Sequence, residues 1–200
     1  MAKKYYAVRV GKTPGIFETW DECKAAVDGY SGAVFKGFGS LEEAKAFVVN
    51  ESVVATAQKD EGKPYAFVDG SYNGVAKVYG YGGFLVVDGE RYLLQGSGND
   101  EEMLSMNNVA GEILGSMAAV EKALELGLKE LDIYYDYMGI EMWATGGWKR
   151  NKTGTIAYHE FMQRVKDEIS ISFVKVKGHS GVEGNEEADR LAKEAVGIEK

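Results

Sequence analysis

The chain has 200 residues, 45% of them apolar, and a formal net charge of −8, which is enough apolar material for one or two buried cores. No run approaches the ~20 apolar residues that a membrane helix needs. Cys23 is the one cysteine and His159 and His179 are the two histidines, so an internal disulfide is ruled out and a Cys/His zinc site fits poorly.

The first residues, MAKKYYAVRVG, carry two lysines but neither an apolar h-region nor a cleavage site, which leaves the cytoplasm as the default compartment, with no membrane association expected. Residues 4–10, KYYAVRV, read as a strand, GKTPG as a turn and IFETW as a second strand. DECKAAVDG predicts a short helix, with Asp21 near its start and Gly29 just past its end. AVFKGF is a third extended piece. In SLEEAKAFVV, Ser40 precedes Glu43 by three residues, the spacing of a capping box, and a helix follows. Residues 1–50 thus form a ββαβα unit, small enough to be marginal alone. GKT at 11–13 is no phosphate loop, because that motif needs Gly where Tyr6 stands and a helix after it. Residues 51–63, ESVVATAQKDEGK, keep no apolar period and read as a linker.

A second unit, 64–200, starts with the strand YAFVD. GYGGFLVVDGERYLLQGSG predicts two strands around the turn Asp88-Gly89. From Gly111 the period becomes helical, with Ile113, Met117, Val120, Leu124 and Leu128 recurring at three and four. ELDIYYDY alternates Leu131, Ile133 and Tyr135 and reads as a strand. Residues 155–168 predict a helix, ISISFVKVKG a strand, and NEEADRLAKEAVG a last helix with Ala188, Leu191, Ala192 and Ala195 on one face. The order is βββαβαβα, without repeats or low-complexity tracts.

Charge divides unevenly along the chain. Residues 1–60 hold eight Lys/Arg and eight Asp/Glu, so the whole acidic excess falls in the remaining 140. An acidic surface argues against a nucleic-acid partner unless the carboxylates are gathered to hold metal ions, which reverse the local sign. Four acids have positions that suit such a gathering. Asp69 and Asp136 stand at the ends of two predicted strands, Glu112 at a helix start and Asp189 in the last helix. If the strands are parallel neighbours, both aspartates emerge at one edge, where open α/β sheets bind ligands. Each acid alone has an ordinary explanation: Asp69-Gly70 is turn chemistry, Glu112 suits a helix dipole, and Asp189 is one surface charge among several. Together they need cations, since their mutual repulsion raises their pKa values. Hard divalent ions with oxygen ligands resolve that, and a pair of them suits phosphodiester hydrolysis.

VDGS (68–71), NxxxE with Asn108 and Glu112, YYDY with Asp136, VKGHSG (176–181) and GNEEADRLA (184–192) resemble type 1 ribonuclease H, in the right order over about residues 64–196. The resemblance implies a mixed five-stranded sheet flanked by helices, the ribonuclease H-like fold. It implies hydrolysis of the RNA strand of RNA–DNA hybrids by two-metal-ion catalysis, leaving 5′-phosphate and 3′-hydroxyl ends. Mg²⁺ is the implied ion, with Mn²⁺ a substitute, and Asp69, Glu112, Asp136 and Asp189 are its implied ligands. His179, on a loop, is implied to assist proton transfer and product release, and Gly70, Ser71 and Asn108 to contact nucleic acid. YYAVRVGKTPGIFETWDECKAAVDGYSGAVFKGF resembles the small hybrid-binding domain that precedes many such enzymes, with Tyr6, Trp20, Phe35 and Lys36 as its contacts. Read from residues alone, Trp20 and Phe35 serve equally well as the core of a tiny α+β domain.

The pattern departs from the family in places. Asn107-Asn108-Val109-Ala110-Gly111 differs in spacing from the usual run before the glutamate, Tyr137 replaces a common serine, and Lys36-Gly37 replaces paired lysines. The basic protrusion shrinks to Gly147-Trp148-Lys149-Arg150-Asn151-Lys152. The rival readings are a non-catalytic hybrid binder with the same fold and a DNA junction resolvase. The full set of acids argues against the first, and VKGHSG with the N-terminal unit against the second. The partner expected is a hybrid duplex, with no obligate protein partner.

Overall fold

A computed structural model describes residues 4–30, 33–49, 62–178 and 181–198. The chain divides into two units, Met1–Ser52 and Val53–Lys200. Most of the expected linker and all of His179 lie outside the described residues. Among the described residues no helix is long and apolar enough to cross a membrane.

The first unit is a three-stranded antiparallel sheet, order β2-β1-β3, from β1 (Tyr5–Val10), β2 (Gly15–Phe17) and β3 (Val34–Phe38). Its helices are α1 (Trp20–Val27) and α2 (Leu41–Val49). Side chains alternate across the sheet. Val8 and the α1 residues Cys23, Ala26 and Val27 form one core, with Tyr6, Phe17 and Phe35 packed on it. The expected second strand is too long by three residues. Thr19 caps α1 instead, its hydroxyl accepting from the Glu22 amide while the Glu22 carboxylate accepts from the Thr19 amide. Trp20 is therefore the first residue of a helix.

The second unit carries a five-stranded sheet, order β6-β5-β4-β7-β8. Its strands are β4 (Tyr65–Asn73), β5 (Val78–Val87), β6 (Glu90–Gly98), β7 (Glu130–Tyr135) and β8 (Ser170–Lys175). The first three are antiparallel, while β4–β7 and β7–β8 run parallel. The helices are α3 (Glu101–Leu104), α4 (Asn108–Glu125), α5 (Gly139–Ala144), α6 (Thr153–Val165) and α7 (Glu183–Ala195). The short α3 and α5 are additions to the expected order, and α4 starts at Asn108 rather than Gly111. This is the mixed five-stranded sheet flanked by helices that the resemblance implies.

Two cores explain the layering. Val68, Ala110, Ile113, Val120, Leu131, Ile133 and Tyr158 belong to the larger one, where α4 and α6 cover one face. Phe67, Phe84, Ala188 and Leu191 form the smaller one, where α7 covers the other. Both helices lie very close to the sheet over glycines. A Cβ on Gly111 of α4 would stand 1.9 Å from the Gly80 carbonyl oxygen, and one on Gly82 would stand 2.0 Å from the Ala192 amide of α7. Polar ties fix α7 further. Gln95 donates to the Leu191 carbonyl at 2.9 Å, Asn73 to the Val196 carbonyl at 3.0 Å, and Arg91 pairs with Glu187 at 2.6 Å.

Candidate functional site

Asp69 does not end its strand. It lies in the middle of the nine-residue β4, and its Asp-Gly pair makes no turn. Gly70 is required by packing, because a Cβ there would stand 2.2 Å from the Asn108 carbonyl oxygen. What ends near Asp69 is the parallel pairing. β4 stays paired with β5 along its whole length but meets β7 only over Tyr65–Phe67. Phe67 and Tyr134, stacked 4.6 Å apart, mark the last paired rung, and Asp69 and Asp136 are each two residues further on along the same face.

Glu112 comes from the second turn of α4, on the opposite face, and joins the two aspartates where β7 no longer flanks β4. Carboxylate oxygens of Asp69, Glu112 and Asp136 all lie within 4.8 Å of one another. Asp69 is 7% exposed and Glu112 2%. The support beneath them is buried and bonded. Ser116, one turn beyond Glu112, shares a 2.9 Å hydrogen bond with the Tyr158 hydroxyl, which also donates to the Ile140 carbonyl at 3.1 Å. Tyr135, next to Asp136, donates to Glu141 at 2.6 Å.

Burial, and then the charge of Asp136, pushes Asp69 up to about 6. Burial, and then the charge of Asp69, holds Glu112 well above the usual carboxylate range. One Glu112 oxygen, Oε2, is buried without a hydrogen bond. Buried, mutually repelling oxygens with an orphaned acceptor fit a hard divalent cation, which takes carboxylate oxygen and neutralises the cluster.

The acids open into a cleft of about 590 Å³ lined by Asp69, Gly70, Ser71, Tyr72, Asn107, Asn108, Glu112, Asp136, Tyr137, Asp189 and Lys193. Gly70, Ser71 and Asn108, expected at the substrate, are thus beside the acids. Asp189 shares the cleft but stands outside the cluster of three, and its Oδ2 accepts from Lys193 at 2.6 Å. Sequence reasoning missed Lys193 and also Asn185, which is 3% exposed and donates to Asp136 Oδ2 at 3.3 Å. A signal for both was present, since Asn185, Asp189 and Lys193 recur every four residues along one helix face.

In the first unit, Tyr6, Trp20 and Phe35 form an aromatic row, with ring centroids 5.7 Å and 5.8 Å apart. Trp20 is 46% exposed at its centre. Lys36 does not join the row. Next to Phe35 in β3, it alternates to the other face, with its Nζ 5.7 Å from the Phe38 ring.

A mixed sheet that gathers three carboxylates where its parallel pairing stops, behind a polar cleft, suits a nuclease-type hydrolase. Residues 62–197 match the RNase H family and residues 4–48 the ribonuclease H1 N-terminal domain. The chain belongs to the ribonuclease H family. It is 30% identical to human ribonuclease H1 over 95% of this chain and 88% of that one. A ribonuclease H of Saccharomyces cerevisiae is 57% identical over 44 residues, 22% of this chain and 13% of that protein. The fold is that of RNase H1 from Halobacterium salinarum, at 24% identity and a TM-score of 0.55 over 68% of this chain and 98% of that one. It is also that of LC11-RNase H1, solved in complex with an RNA/DNA hybrid, at 15% identity and a TM-score of 0.53 over 67% and 99%.

Proposed function

We propose that this protein hydrolyses the RNA strand of RNA–DNA hybrids, leaving 5′-phosphate and 3′-hydroxyl ends, with residues 64–200 as the catalytic domain and residues 1–50 as a hybrid-binding domain joined by the linker 51–63. The single observation that carries the reading is the convergence of Asp69, Glu112 and Asp136 within 4.8 Å. Divalent cations held there, Mg²⁺ in the first place, would supply Lewis acidity toward a phosphodiester and an acidified water. Asp69, Glu112 and Asp136 would hold them, with Asp189 completing the set. The chain's own residues have separable tasks in this reading. Glu112, held well above the usual carboxylate range, would keep a proton until a cation displaces it, whereas Asp69, at about 6, is mostly ionised at neutral pH. Asn185 holds one oxygen of Asp136 and so fixes which side of that carboxylate faces the cleft. Asn108 presents an amide at the mouth, where it suits the 2′-hydroxyl that distinguishes RNA from DNA. His179 carries protons near the scissile phosphate, a task suited to a near-neutral imidazole.

The aromatic row of Tyr6, Trp20 and Phe35 offers flat apolar surface to sugars of the hybrid, and Lys36 offers charge to a phosphate from the neighbouring face. A relative of the same fold solved with an RNA/DNA hybrid supports this choice of substrate. The proposed compartment is the cytoplasm. Incubating the protein with hybrid, duplex DNA and duplex RNA, with Mg²⁺ and then with chelator, tests the proposal. Cleavage of the RNA strand of the hybrid alone, abolished by chelator, is expected. Cleavage of duplex DNA, or cleavage that survives chelation, contradicts it.

A further inference from the structure

The acids of the cleft are not treated alike. Asp69, Glu112 and Asp136 crowd together, whereas Asp189 has a cation of its own: Lys193, one turn further along α7, donates to it at 2.6 Å. Lys193 is the one basic side chain among the described residues lining this cleft. An exposed i,i+4 pair on a helix is ordinarily a weak and passive feature. The next such pair on α7, Arg190–Glu194 at 3.2 Å, is of that kind, and neither partner lines the cleft. The Lys193 pair differs in place, since both partners line the cleft that holds Asp69, Glu112 and Asp136.

Resting on the hydrolase reading above, we propose that Lys193 is an internal counter-cation, which holds Asp189 while metal is absent and gives way when a divalent ion takes that carboxylate. Two consequences follow from charge alone. The lysine lowers the repulsion that Asp189 adds to the three clustered acids. It also competes with the incoming ion, both for the Asp189 oxygen and through like-charge repulsion, so it raises the metal concentration at which Asp189 becomes a ligand. Asp189 is thereby the acid last to be filled and first to be emptied, and Lys193 is a positioning residue rather than one that touches the reacting phosphate.

The test is direct Mn²⁺ binding to the full chain without nucleic acid, followed by electron paramagnetic resonance of the free ion. Lys193→Met keeps the length and removes the charge, Lys193→Arg keeps the charge, and Arg190→Met controls for the other pair. The expected result is half-saturation of the weaker Mn²⁺ at a concentration roughly three- to tenfold lower in Lys193→Met, the size of one screened charge close to the ion. Lys193→Arg and Arg190→Met should follow the wild type within twofold. In an Asp189→Asn background, Lys193→Met should shift the curve clearly less than it does with Asp189 present, since only the like-charge repulsion then remains. An unchanged or weaker curve in Lys193→Met overturns the proposal, as does a full shift that survives Asp189→Asn. Cleavage of hybrid by the wild type, measured alongside, separates the two readings: Mn²⁺-dependent cleavage with unchanged binding curves removes the counter-cation alone, while absence of any Mn²⁺ binding removes both.

Discussion

The two units place their distinctive residues in opposite ways. In the larger, Asp69 and Glu112 are ionisable carboxyl groups at 7% and 2% exposure, held there by a sheet and two helices that leave no slack. In the smaller, Trp20 is an apolar ring at 46% exposure, set on the first residue of a capped helix. Each is the reverse of what burial rules favour. Buried charge costs stability and is useful only if an ion or a reaction needs it there. Exposed aromatic surface costs little and is useful when a flat partner arrives. In the proposed function the larger unit supplies chemistry and the smaller affinity, and perturbations should separate along that line.

The largest separation expected is at Asp69. Asp69→Asn keeps the shape and removes a ligand charge, so single-turnover cleavage of a hybrid should fall by roughly three orders of magnitude or more, while hybrid binding, measured by anisotropy, stays within a few-fold. Next comes the support of the buried site. Gly111→Ala places a Cβ 1.9 Å from the Gly80 carbonyl oxygen, a backbone atom that cannot swing away. Overpacking of that kind should cost about 3 kcal/mol and lower the melting temperature by roughly 10 °C. No glycine of the small unit's aromatic row is under comparable pressure: a Cβ on Gly37 would meet the Tyr6 ring at an ordinary 3.5 Å. Gly37→Ala should therefore shift thermal unfolding by far less.

Trp20→Ala tests the exposed side. Stacked rings lose roughly 1–3 kcal/mol of nucleic-acid binding on truncation, about 5- to 150-fold in affinity, and here the loss should appear in binding and KM rather than in stability. Circular dichroism of the full chain checks that the unit stays folded. The smallest effect expected is the pH dependence of the metal-free chain. Asp69 is raised from 3.8 to about 6, by burial first and Asp136 second. The folded state thus holds that proton more tightly than the unfolded chain. The resulting stability is fully present below about pH 3.8 and is lost as pH rises through about 6. In chelator, Asp69→Asn should melt a few degrees above the wild type at pH 7.5 and at nearly the same temperature at pH 4. Thermal scans across that range check it, and the aromatic row supplies no counterpart.

The sequence was most legible where one face of an element meets one core. Leu131, Ile133 and Tyr135 alternate because β7 is buried on that side, and Ala188, Leu191 and Ala192 recur because α7 lies on the sheet. It was least legible where tertiary packing overrode local chemistry. Asp69-Gly70 looks like a turn, yet Gly70 is there because α4 passes too near for any side chain, and the strand runs on. Trp20 opens a helix, in line with the capping-box spacing of Thr19 and Glu22, although the aromatic run IFETW favours an extended reading. α3 and α5, of four and six residues, are too short to show a period. At the site, the resemblance pointed to acids and not to their amide and ammonium partners, Asn185 and Lys193. Lys36 adjoins Phe35 in sequence, and alternation alone sends it to the other face.

The most direct test of the division between buried chemistry and exposed affinity is one experiment on two full-length variants. Trp20→Ala and Asp69→Asn are each mixed with saturating hybrid and Mg²⁺, and the single-turnover rate is read beside the dissociation constant. The account predicts that Trp20→Ala cuts at a rate within about twofold of the wild type despite binding several-fold more weakly, while Asp69→Asn binds as the wild type does and scarcely cuts. A Trp20→Ala rate at saturation that falls as far as that of Asp69→Asn would contradict it.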